Sequence, residues 1–401
     1  MTETPAAAPA GARIAPAAGA GTGRRVALFT GNYHHILDGV SLTLNRLVRH
    51  LESRGDQVLI FAPTVENPPM EHAGTLVPVP SVSAPGRPEY RLALRFPAAA
   101  RARLEAFRPD IVHLATPDWT GYRGLRWALA HDVPAVASYH THFPSYLAYY
   151  RLGALEPAVW SFARWFYNRC VQVYVPSWPM ADVLKDHGVT ADVRLWTRGV
   201  ELDRFDPDLR SQEWRNSLGV GPGEVLVAFV SRLVWEKGLD VFASVMAGLA
   251  ERGLAARALI VGDGPAERGL RARLATGCVF TGHLAGRELS VAYASSDVFL
   301  FPSETETFGN VTLEALASGL PVVAADAAGS RMLVSHGVTG LLCPPRDAAA
   351  FLDATSTLVR DAALRAQMGA AARTSAADYA WPAVLDRLVG YYEEVLSRRG
   401  A

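Results

Sequence analysis

The sequence predicts an α/β protein with two Rossmann-like domains that face each other across a cleft. The chain has 401 residues, which is too long for one ordinary hydrophobic core and favours two domains. Half of the residues are hydrophobic, as in a globular protein. In each half of the chain, short apolar runs alternate with amphipathic stretches, and this alternation is typical of parallel sheets covered by helices.

The first predicted domain spans residues 24–200 and follows a leader. Residues 1–23 are rich in alanine, proline and glycine and contain no apolar segment, so they predict a disordered leader. Four apolar runs then predict strands: RRVALFT, QVLIFAP, DIVHLA and VPAVASYH. Between the first two, a helix carries Leu44, Leu47 and Leu51 on one face.

The second predicted domain spans residues 201–378. The alternation breaks at residues 196–215, where we expect a linker, and resumes with four runs that predict strands: EVLVAFVSRL, ARALIVGDG, DVFLFPS and GLPVVAAD. Residues 379–401 predict an amphipathic helix that crosses back to pack on the first domain. Paired sheets of this kind bind ligands at the carboxyl ends of their strands, so we expect the site in the cleft.

Charge and cysteine usage exclude several classes of protein. The chain has 39 Lys and Arg and 39 Asp and Glu, so a nucleic-acid partner has no electrostatic support. The three cysteines, Cys170, Cys278 and Cys343, show neither metal-binding nor redox spacing and predict reduced thiols. No apolar run approaches the roughly 20 residues of a membrane span. We therefore expect a cytoplasmic protein.

Two carboxylates flank a helix start in the stretch FPSETETFGNVTLEALASG. Glu306 lies in the loop before the predicted helix, and Glu314 lies on its second turn. Between them, the backbone amides of Phe308, Gly309 and Asn310 form an anion site at the helix N-terminus. The carboxylates can accept hydrogen bonds from sugar hydroxyls on either side of a bound diphosphate. The alternative is one capping and one surface glutamate.

Two cations follow the strand in VAFVSRLVWEKGLD. Arg232 and Lys237 lie five residues apart, and two fixed cations can neutralise a leaving diphosphate. Lysine is rare in this chain, since only Lys185 and Lys237 occur, which hints at a site that requires a compact ammonium group. The alternative is a pair of solvated surface charges.

A glycine-rich turn, Gly262-Asp263-Gly264, follows another predicted strand. It does not match the dinucleotide fingerprint because Glu267 replaces the third glycine. A nucleotide contact and an ordinary tight turn are equally economical interpretations. The Asp-x-Asp pair of FDPD, at Asp206, lies in the predicted linker and not after a strand, so we do not interpret it as a metal-diphosphate motif.

A histidine ends the strand in ASYHTHFP. Its position places His140 at the cleft, where a functional role is favoured over a core histidine. His142 lies on the same strand face, but the sequence supplies no third ligand, so we expect no metal. The loop after the first strand, GNYHHILDGVS, supplies Gly39, which is preceded by Asp38.

These motifs, in this order, resemble those of the retaining glycosyltransferases of family four, which have the GT-B fold. The resemblance covers nearly the whole chain from residue 24. The segments SYHTHFPSYLAYY, RLWTRGVELDRFDP and SRLVWEKGLD resemble most closely the sulfoquinovosyl-diacylglycerol synthases and the GDP-mannose-dependent lipid mannosyltransferases.

The resemblance implies roles for the residues of both domains. It implies that Glu306 holds the donor sugar and Glu314 the donor ribose, that Arg232 and Lys237 bind the donor phosphates, and that His140 lies near the anomeric carbon. The Gly262–Gly264 turn lies near the nucleotide by the same resemblance. Family members commonly carry a glycine pair whose backbone touches the donor phosphate; in this chain Asp38 replaces the first glycine of that pair, and only Gly39 remains.

The expected activity is transfer of a hexosyl group, such as mannosyl, glucosyl or glucuronosyl, from a GDP- or UDP-sugar. We expect the reaction to retain the anomeric configuration and to need neither a metal nor a cofactor. The expected acceptor is a lipid such as diacylglycerol or a glycolipid. Two segments of the first half interleave arginines with aromatic residues: RPEYRLALRFPAAARARLEAFRP and YLAYYRLGALEPAVWSFARWFYNR. One interpretation is a surface that binds an anionic membrane peripherally, and the other is ordinary helix packing. The alternatives are a saccharide or polyprenyl-linked acceptor and, more distantly, a nucleotide-sugar binder or epimerase.

Overall fold

A computed structural model describes residues 23–84, 87–139, 155–221, 223–274, 277–306 and 308–398. Within these residues the chain forms two parallel sheets, one in each half, with helices packed against both. The predicted fold class is confirmed. The predicted leader, except for Gly23, lies outside the described residues, and the predicted domain boundary at residue 200 falls between the last strand of the first sheet and the first strand of the second.

The first half contributes one parallel sheet and a separate hairpin. Its strands are β1 (Arg25–Phe29), β2 (Gln57–Pro63), β3 (Thr75–Val79), β4 (Ser81–Ala84), β5 (Arg87–Ala93), β6 (Ile111–Leu114), β7 (Ala135–Ser138), β8 (Gln172–Val175) and β9 (Asp192–Leu195). The parallel sheet has the order β3-β2-β1-β6-β7-β8-β9, and β4 pairs with β5 antiparallel. The helices are α1 (Gly39–Ser53), α2 (Ala98–Phe107), α3 (Trp119–Ala130), α4 (Glu156–Tyr167) and α5 (Trp178–Asp186).

The second half contributes the other parallel sheet. Its strands are β10 (Val225–Val230), β11 (Ala256–Val261), β12 (Val279–Gly282), β13 (Val298–Phe301), β14 (Val322–Ala325) and β15 (Gly340–Cys343), in the order β12-β11-β10-β13-β14-β15. The helices are α6 (Gln212–Ser217), α7 (Leu239–Glu251), α8 (Glu267–Arg273), α9 (Gly286–Ala294), α10 (Asn310–Ala317), α11 (Ala328–Leu333), α12 (Ala348–Arg360), α13 (Ala362–Ala376) and α14 (Trp381–Ser397).

Both faces of the first sheet are buried, which explains why its strands read as continuous apolar runs. Side chains alternate across a strand, so Val26 and Leu28 belong to one core cluster, whereas Ala27 and Phe29 belong to another. In each sheet the strand order reverses at the first strand, between β1 and β6 and between β10 and β13. Ligands of open α/β sheets bind beyond the carboxyl ends of strands at such reversals.

The C-terminal helix α14 belongs to the core of the first domain, as predicted. Val384, Leu388 and other apolar residues of α14 share a buried cluster with residues of β1 and α1. Tyr392 contacts the buried imidazole of His113 on β6, whose other ring nitrogen lies 2.5 Å from Ser138 Oγ. Burial lowers the pKa of His113 to about 3, so this histidine is neutral at physiological pH.

All eight predicted strands are present, and five strands of the two parallel sheets were not predicted. Four of those five are the edge strands β3, β9, β12 and β15. Most residues of these four edge strands are partly buried or exposed, so the edge strands give a weaker apolar signal than the fully buried central strands. Of the three cysteines, Cys170 and Cys343 are buried and Cys278 is partly buried, and all three are free thiols.

Candidate active site

Lys237 and Glu306 meet where the strand order of the second sheet reverses. Lys237 follows β10 and Glu306 follows its neighbour β13, so both side chains come from adjacent carboxyl ends. Lys237 Nζ donates a hydrogen bond of 2.6 Å to Glu306 Oε1. The two side chains are 14% and 21% exposed, which leaves the pair accessible to a ligand. Gly238 permits this approach: its φ is 76°, and a Cβ there would lie 2.8 Å from Pro302 Cβ.

The loop after β13 contains two glutamates that point to different partners. Glu304 forms an ion pair with Arg346 at the surface. Glu306 instead has Lys237 as its ion-pair partner, and Ser303 Oγ lies 3.4 Å from the same carboxylate oxygen. The alternative interpretation, one capping and one surface glutamate, concerned Glu306 and Glu314, and the ion pair with Lys237 argues against a mere capping role for Glu306.

Glu314 lies on the second turn of α10, where its carboxyl group is partly buried. The Tyr293 hydroxyl, from α9, donates a hydrogen bond of 3.1 Å to Glu314 Oε2. Burial raises the pKa of Glu314 to about 7, although the hydrogen bond from Tyr293 and the charge of Arg204 both act to lower it. This carboxyl group therefore changes protonation state near neutral pH.

Residues of both domains line one cavity of about 300 Å³. Gly39, the first residue of α1, contributes from the first domain, and Asn310 and Glu314 of α10 contribute from the second. Gly309 precedes α10 as a left-handed N-cap without a side-chain hydrogen bond, while Phe308 is buried. The free backbone amides at the start of α10 favour an anionic ligand. The structure thus brings three predicted donor-binding residues together.

Arg232 does not join the Lys237–Glu306 pair. Its side chain is 77% exposed, and its nearest ion-pair partner is Glu236, at 4.0 Å on the same loop. Of these two cations, only Lys237 is held in place by a carboxylate of the second sheet in the described residues, and a contact between Arg232 and the donor phosphates stays a prediction.

The Gly262–Gly264 turn supports the loop that carries Lys237. A Cβ on Gly262 would lie 1.9 Å from the carbonyl oxygen of Ser231, and a Cβ on Gly264 would lie 2.5 Å from that of Leu233. The carbonyl of Asp263 accepts a 2.7 Å hydrogen bond from Leu233, and the Asp263 side chain is exposed. Close backbone packing therefore accounts for these glycines, and their contact with a nucleotide stays a prediction.

The predicted catalytic residue His140 lies outside the described residues, as does His142. Among the residues that the structure describes, no group of three or more His, Cys, Asp or Glu side chains could hold a metal ion. Asp206, from the Asp-x-Asp pair, accepts a 3.0 Å hydrogen bond from Arg373 of α13 and caps a short 3₁₀ turn.

Sequence reasoning missed most residues of the cavity region, and two of them, Tyr293 and Arg198, matter for the site. Tyr293, the partner of Glu314, lies on a different helix, and no sequence spacing connects the two. Arg198 lines the cavity and donates hydrogen bonds to Gly39 O at 2.9 Å and Thr43 Oγ1 at 2.6 Å. Its signal was available, because Arg198 lies in the quoted segment RLWTRGVELDRFDP.

Comparison with known proteins identifies the family. Residues 37–204 match the profile of Glycosyltransferase Family 4, and residues 224–361 match that of Glycosyl transferases group 1. A GDP-mannose-dependent alpha-mannosyltransferase of Mycobacterium tuberculosis is 38% identical over 392 residues, which cover 94% of this chain and 98% of the relative. This chain belongs to glycosyltransferase family four.

Other relatives of this glycosyltransferase agree with that assignment. Sulfoquinovosyl transferase SQD2 of Arabidopsis thaliana is 37% identical over 375 residues, which cover 91% of this chain and 72% of the relative. The structure of a sucrose-phosphate synthase from Thermosynechococcus elongatus superposes with a TM-score of 0.68 at 22% identity, covering 94% of this chain and 100% of that one. The fold is therefore GT-B.

The enzyme is a nucleotide-sugar-dependent hexosyltransferase related to glycolipid-synthesising enzymes. In the described part of the chain, none of the helices has the length and apolar character needed to cross a membrane.

Proposed function

We propose that this enzyme transfers a hexosyl group from a GDP- or UDP-sugar to a lipid acceptor, such as diacylglycerol or a glycolipid, with retention of anomeric configuration. The observation that carries the proposal is the pairing of Lys237 with Glu306 beside the start of α10, with Glu314 farther along the same helix. In this arrangement a cation, an anion-binding helix start and two carboxylates surround the place of a sugar diphosphate.

Each of these residues binds a different part of the donor. The Glu314 carboxylate accepts hydrogen bonds from the ribose hydroxyls, and the amides at Gly309 and Asn310 bind the diphosphate. Lys237 stabilises the negative charge that develops on the departing phosphate, and Glu306 orients both Lys237 and the sugar hydroxyls. No additional cofactor is required for this role of the lysine.

Retention follows when the acceptor hydroxyl attacks from the face that the diphosphate leaves. The acceptor oxygen forms the new bond to the anomeric carbon as the bond to the phosphate oxygen breaks, and the departing phosphate takes the hydroxyl proton. His140 orients the acceptor on the first-domain side. Closure of the cleft excludes water and brings the exposed Arg232 toward the diphosphate.

An aromatic surface on the first domain supports a lipid acceptor. We name it the α3–α4 patch, and it consists of Trp119, Tyr122, Phe162 and Trp165. Trp119 is 45% exposed and Phe162 is 38% exposed, and the rings pack against one another with Trp119 stacked on Tyr122 at 5.4 Å.

Two arginines accompany the patch. Arg169 lies over the Trp165 ring at 4.6 Å, and Arg123 lies over Trp119 at 5.9 Å. Exposed indole rings beside arginines fit the interface of an anionic bilayer, where the rings lie at headgroup level and the cations contact lipid phosphates. We infer peripheral membrane binding through this surface.

A transfer assay tests the function. The enzyme is incubated with GDP-mannose, UDP-glucose or UDP-glucuronate and with anionic liposomes that contain diacylglycerol, and products are identified by mass spectrometry, with the anomer assigned by NMR. We expect an α-linked glycolipid from one donor. Transfer only to soluble or polyprenyl-linked saccharides would contradict the lipid acceptor, and an inverted product would contradict retention.

Liposome sedimentation tests the membrane surface separately. We expect binding to anionic liposomes at low salt, weaker binding at high salt, and loss of binding in a Trp119→Ser/Trp165→Ser double variant. Equal binding by this variant would show that the α3–α4 patch is not the contact.

A further inference from the structure

Arg198 lies where the first domain contributes to the interdomain cavity. Its guanidinium packs against the Cα of Gly39, since a Cβ built on that glycine would lie 3.7 Å from Arg198 Nη2. Nη1 donates to Gly39 O and to Thr43 Oγ1, which fixes the guanidinium at the start of α1. The same cavity contains Asn310 and Glu314 from the opposite domain.

Two of the three arginines that line this cavity form ion pairs with the described residues. Two further arginines line it, Arg46 and Arg204, and both pair with Glu201, the second at 3.8 Å. Arg46 also lies over the Trp381 ring at 4.6 Å. Arg198 has no ion pair with any of the described residues. One cation of the cavity therefore remains for a ligand.

Asp38 explains why a cation is required at this position. The family commonly has glycine there, but in this chain the Asp38 carboxylate accepts a 2.7 Å hydrogen bond from Ser41 N and caps α1. A carboxylate beside Gly39 repels an approaching phosphate. Burial lowers the pKa of Arg198 and the charge of Asp38 acts against this, so the two groups interact electrostatically. Arg198 offsets the negative charge that Asp38 introduces.

We propose that Arg198 binds the diphosphate of the donor from the first-domain side, in place of the backbone contact that the missing glycine would make. The inference rests on the proposed function, because it assumes a nucleoside diphosphate in this cavity. Nη2 faces Gly39 and makes no hydrogen bond to the described residues, so it is available to a phosphate oxygen. Arg198 is thus a donor-positioning residue supplied by the linker between the domains.

The test compares ligands with and without the diphosphate. The affinities of UDP, GDP, uridine and guanosine are measured by calorimetric and NMR titration for the wild-type protein and for Arg198→Met. Loss of a charge-assisted hydrogen bond predicts a decrease of about 10- to 100-fold in the diphosphate-to-nucleoside affinity ratio. Nucleoside affinity itself should not change. A purely structural role of Arg198 would alter both affinities or neither.

Arg46→Met is the matched control, because Arg46 lines the same cavity but is already paired with Glu201. The diphosphate-to-nucleoside affinity ratio of Arg46→Met should match that of the wild type. If this ratio decreases equally in both variants, the total positive charge of the cavity explains the effect and the inference is overturned. If thermal unfolding shows that Arg198→Met is not folded, Arg198→Gln is used, because its amide can still donate hydrogen bonds but carries no charge, and a ratio unchanged from the wild type overturns the inference. Failure of the wild-type protein to bind either diphosphate contradicts the proposed function itself.

Discussion

Glu306 and Glu314 belong to one short motif, but the partners of their carboxyl groups differ in charge. Glu306 lies in a loop beside the ammonium group of Lys237, at 2.6 Å, and remains partly exposed. Glu314 lies on α10 beside the neutral hydroxyl of Tyr293, and burial raises its pKa to about 7. One carboxylate is therefore held by an ion pair before any ligand binds, whereas the other makes no ion pair with the described residues and interacts with Arg204 only at longer range.

The difference implies two separate tasks. A carboxylate that is already paired with a lysine keeps that lysine in place, which is useful for a charge that appears only in the transition state. A carboxyl group with a raised pKa must lose a proton before it can accept hydrogen bonds from two hydroxyls, so its contribution depends on pH. We therefore expect Glu306 to control turnover and Glu314 to control donor affinity.

The largest effect is expected on removal of the fixed cation. Lys237→Ala and Glu306→Ala should each lower kcat by about 10²- to 10³-fold, the usual loss for one transition-state contact. Steady-state kinetics with the donor identified in the transfer assay measure this loss. Lys185→Ala is the control, because Lys185 is 57% exposed and lies on α5, away from the second sheet. Near-normal kcat in both site variants would contradict the assigned roles.

The second prediction concerns the pH dependence of donor affinity. Below a pKa of about 7 the Glu314 carboxyl is protonated, so the affinity of the nucleotide sugar should decrease by up to about tenfold for each pH unit below 7 and level off above it. Calorimetric titration between pH 5.5 and about 8.5 measures this. Glu314→Gln cannot ionise, so its affinity should be lower and constant over the same range. If donor affinity depends on pH in the same way in both proteins, ionisation of Glu314 is not the cause of that dependence.

The raised pKa of Glu314 also makes the free energy of unfolding depend on pH. As pH rises, this stability decreases, whereas donor affinity increases. The pKa of Glu314 is raised from 4.5 in the free side chain, so its stabilising contribution is complete below about pH 4.5 and is lost as pH rises through 7. Relative to the wild type, unliganded Glu314→Gln should therefore gain on the order of 1–3 kcal/mol in unfolding free energy between pH 5 and pH 8. Denaturant unfolding at the two pH values checks this, and a constant difference would contradict the raised pKa.

The smallest effect is expected from the partner of Glu314. Tyr293→Phe removes a hydrogen bond that lowers the pKa of Glu314, so the midpoint of the affinity profile should move upward by about one pH unit or less. Tyr379→Phe is the control, since the Tyr379 hydroxyl donates to Met332 O instead. A midpoint that moves downward in Tyr293→Phe would show that the hydroxyl does not stabilise the carboxylate.

The sequence was sufficient for eight of the thirteen strands that the described residues form in the two parallel sheets, and for part of the site. Parallel strands buried on both faces are continuous apolar runs, which is why QVLIFAP coincides with β2. The helix after Gly309 was recognisable from its start and from Gly319 at its end. Residues that follow neighbouring strands must meet at one sheet edge, so placing Lys237 and Glu306 in one site needed no structure.

The remaining features depend on contacts that spacing does not encode. The environment of Glu314 is set by Tyr293 on another helix, and the orientation of Arg232 is a matter of side-chain conformation. Arg198 acquires its position only when the linker crosses the start of α1. For Glu314 and Arg198 the partners, Tyr293 and the start of α1, are distant in sequence, and no periodic pattern connects them.

The packing of α14 has a consequence for biosynthesis. Because this helix covers one face of the first sheet, Val26 and Leu28 of β1 and the apolar residues of α1 reach their final burial only after residues 381–397 have been synthesised. During translation the second domain can close its own core first. Termination before Trp381 would leave the face of the first sheet that α14 covers as an open hydrophobic groove.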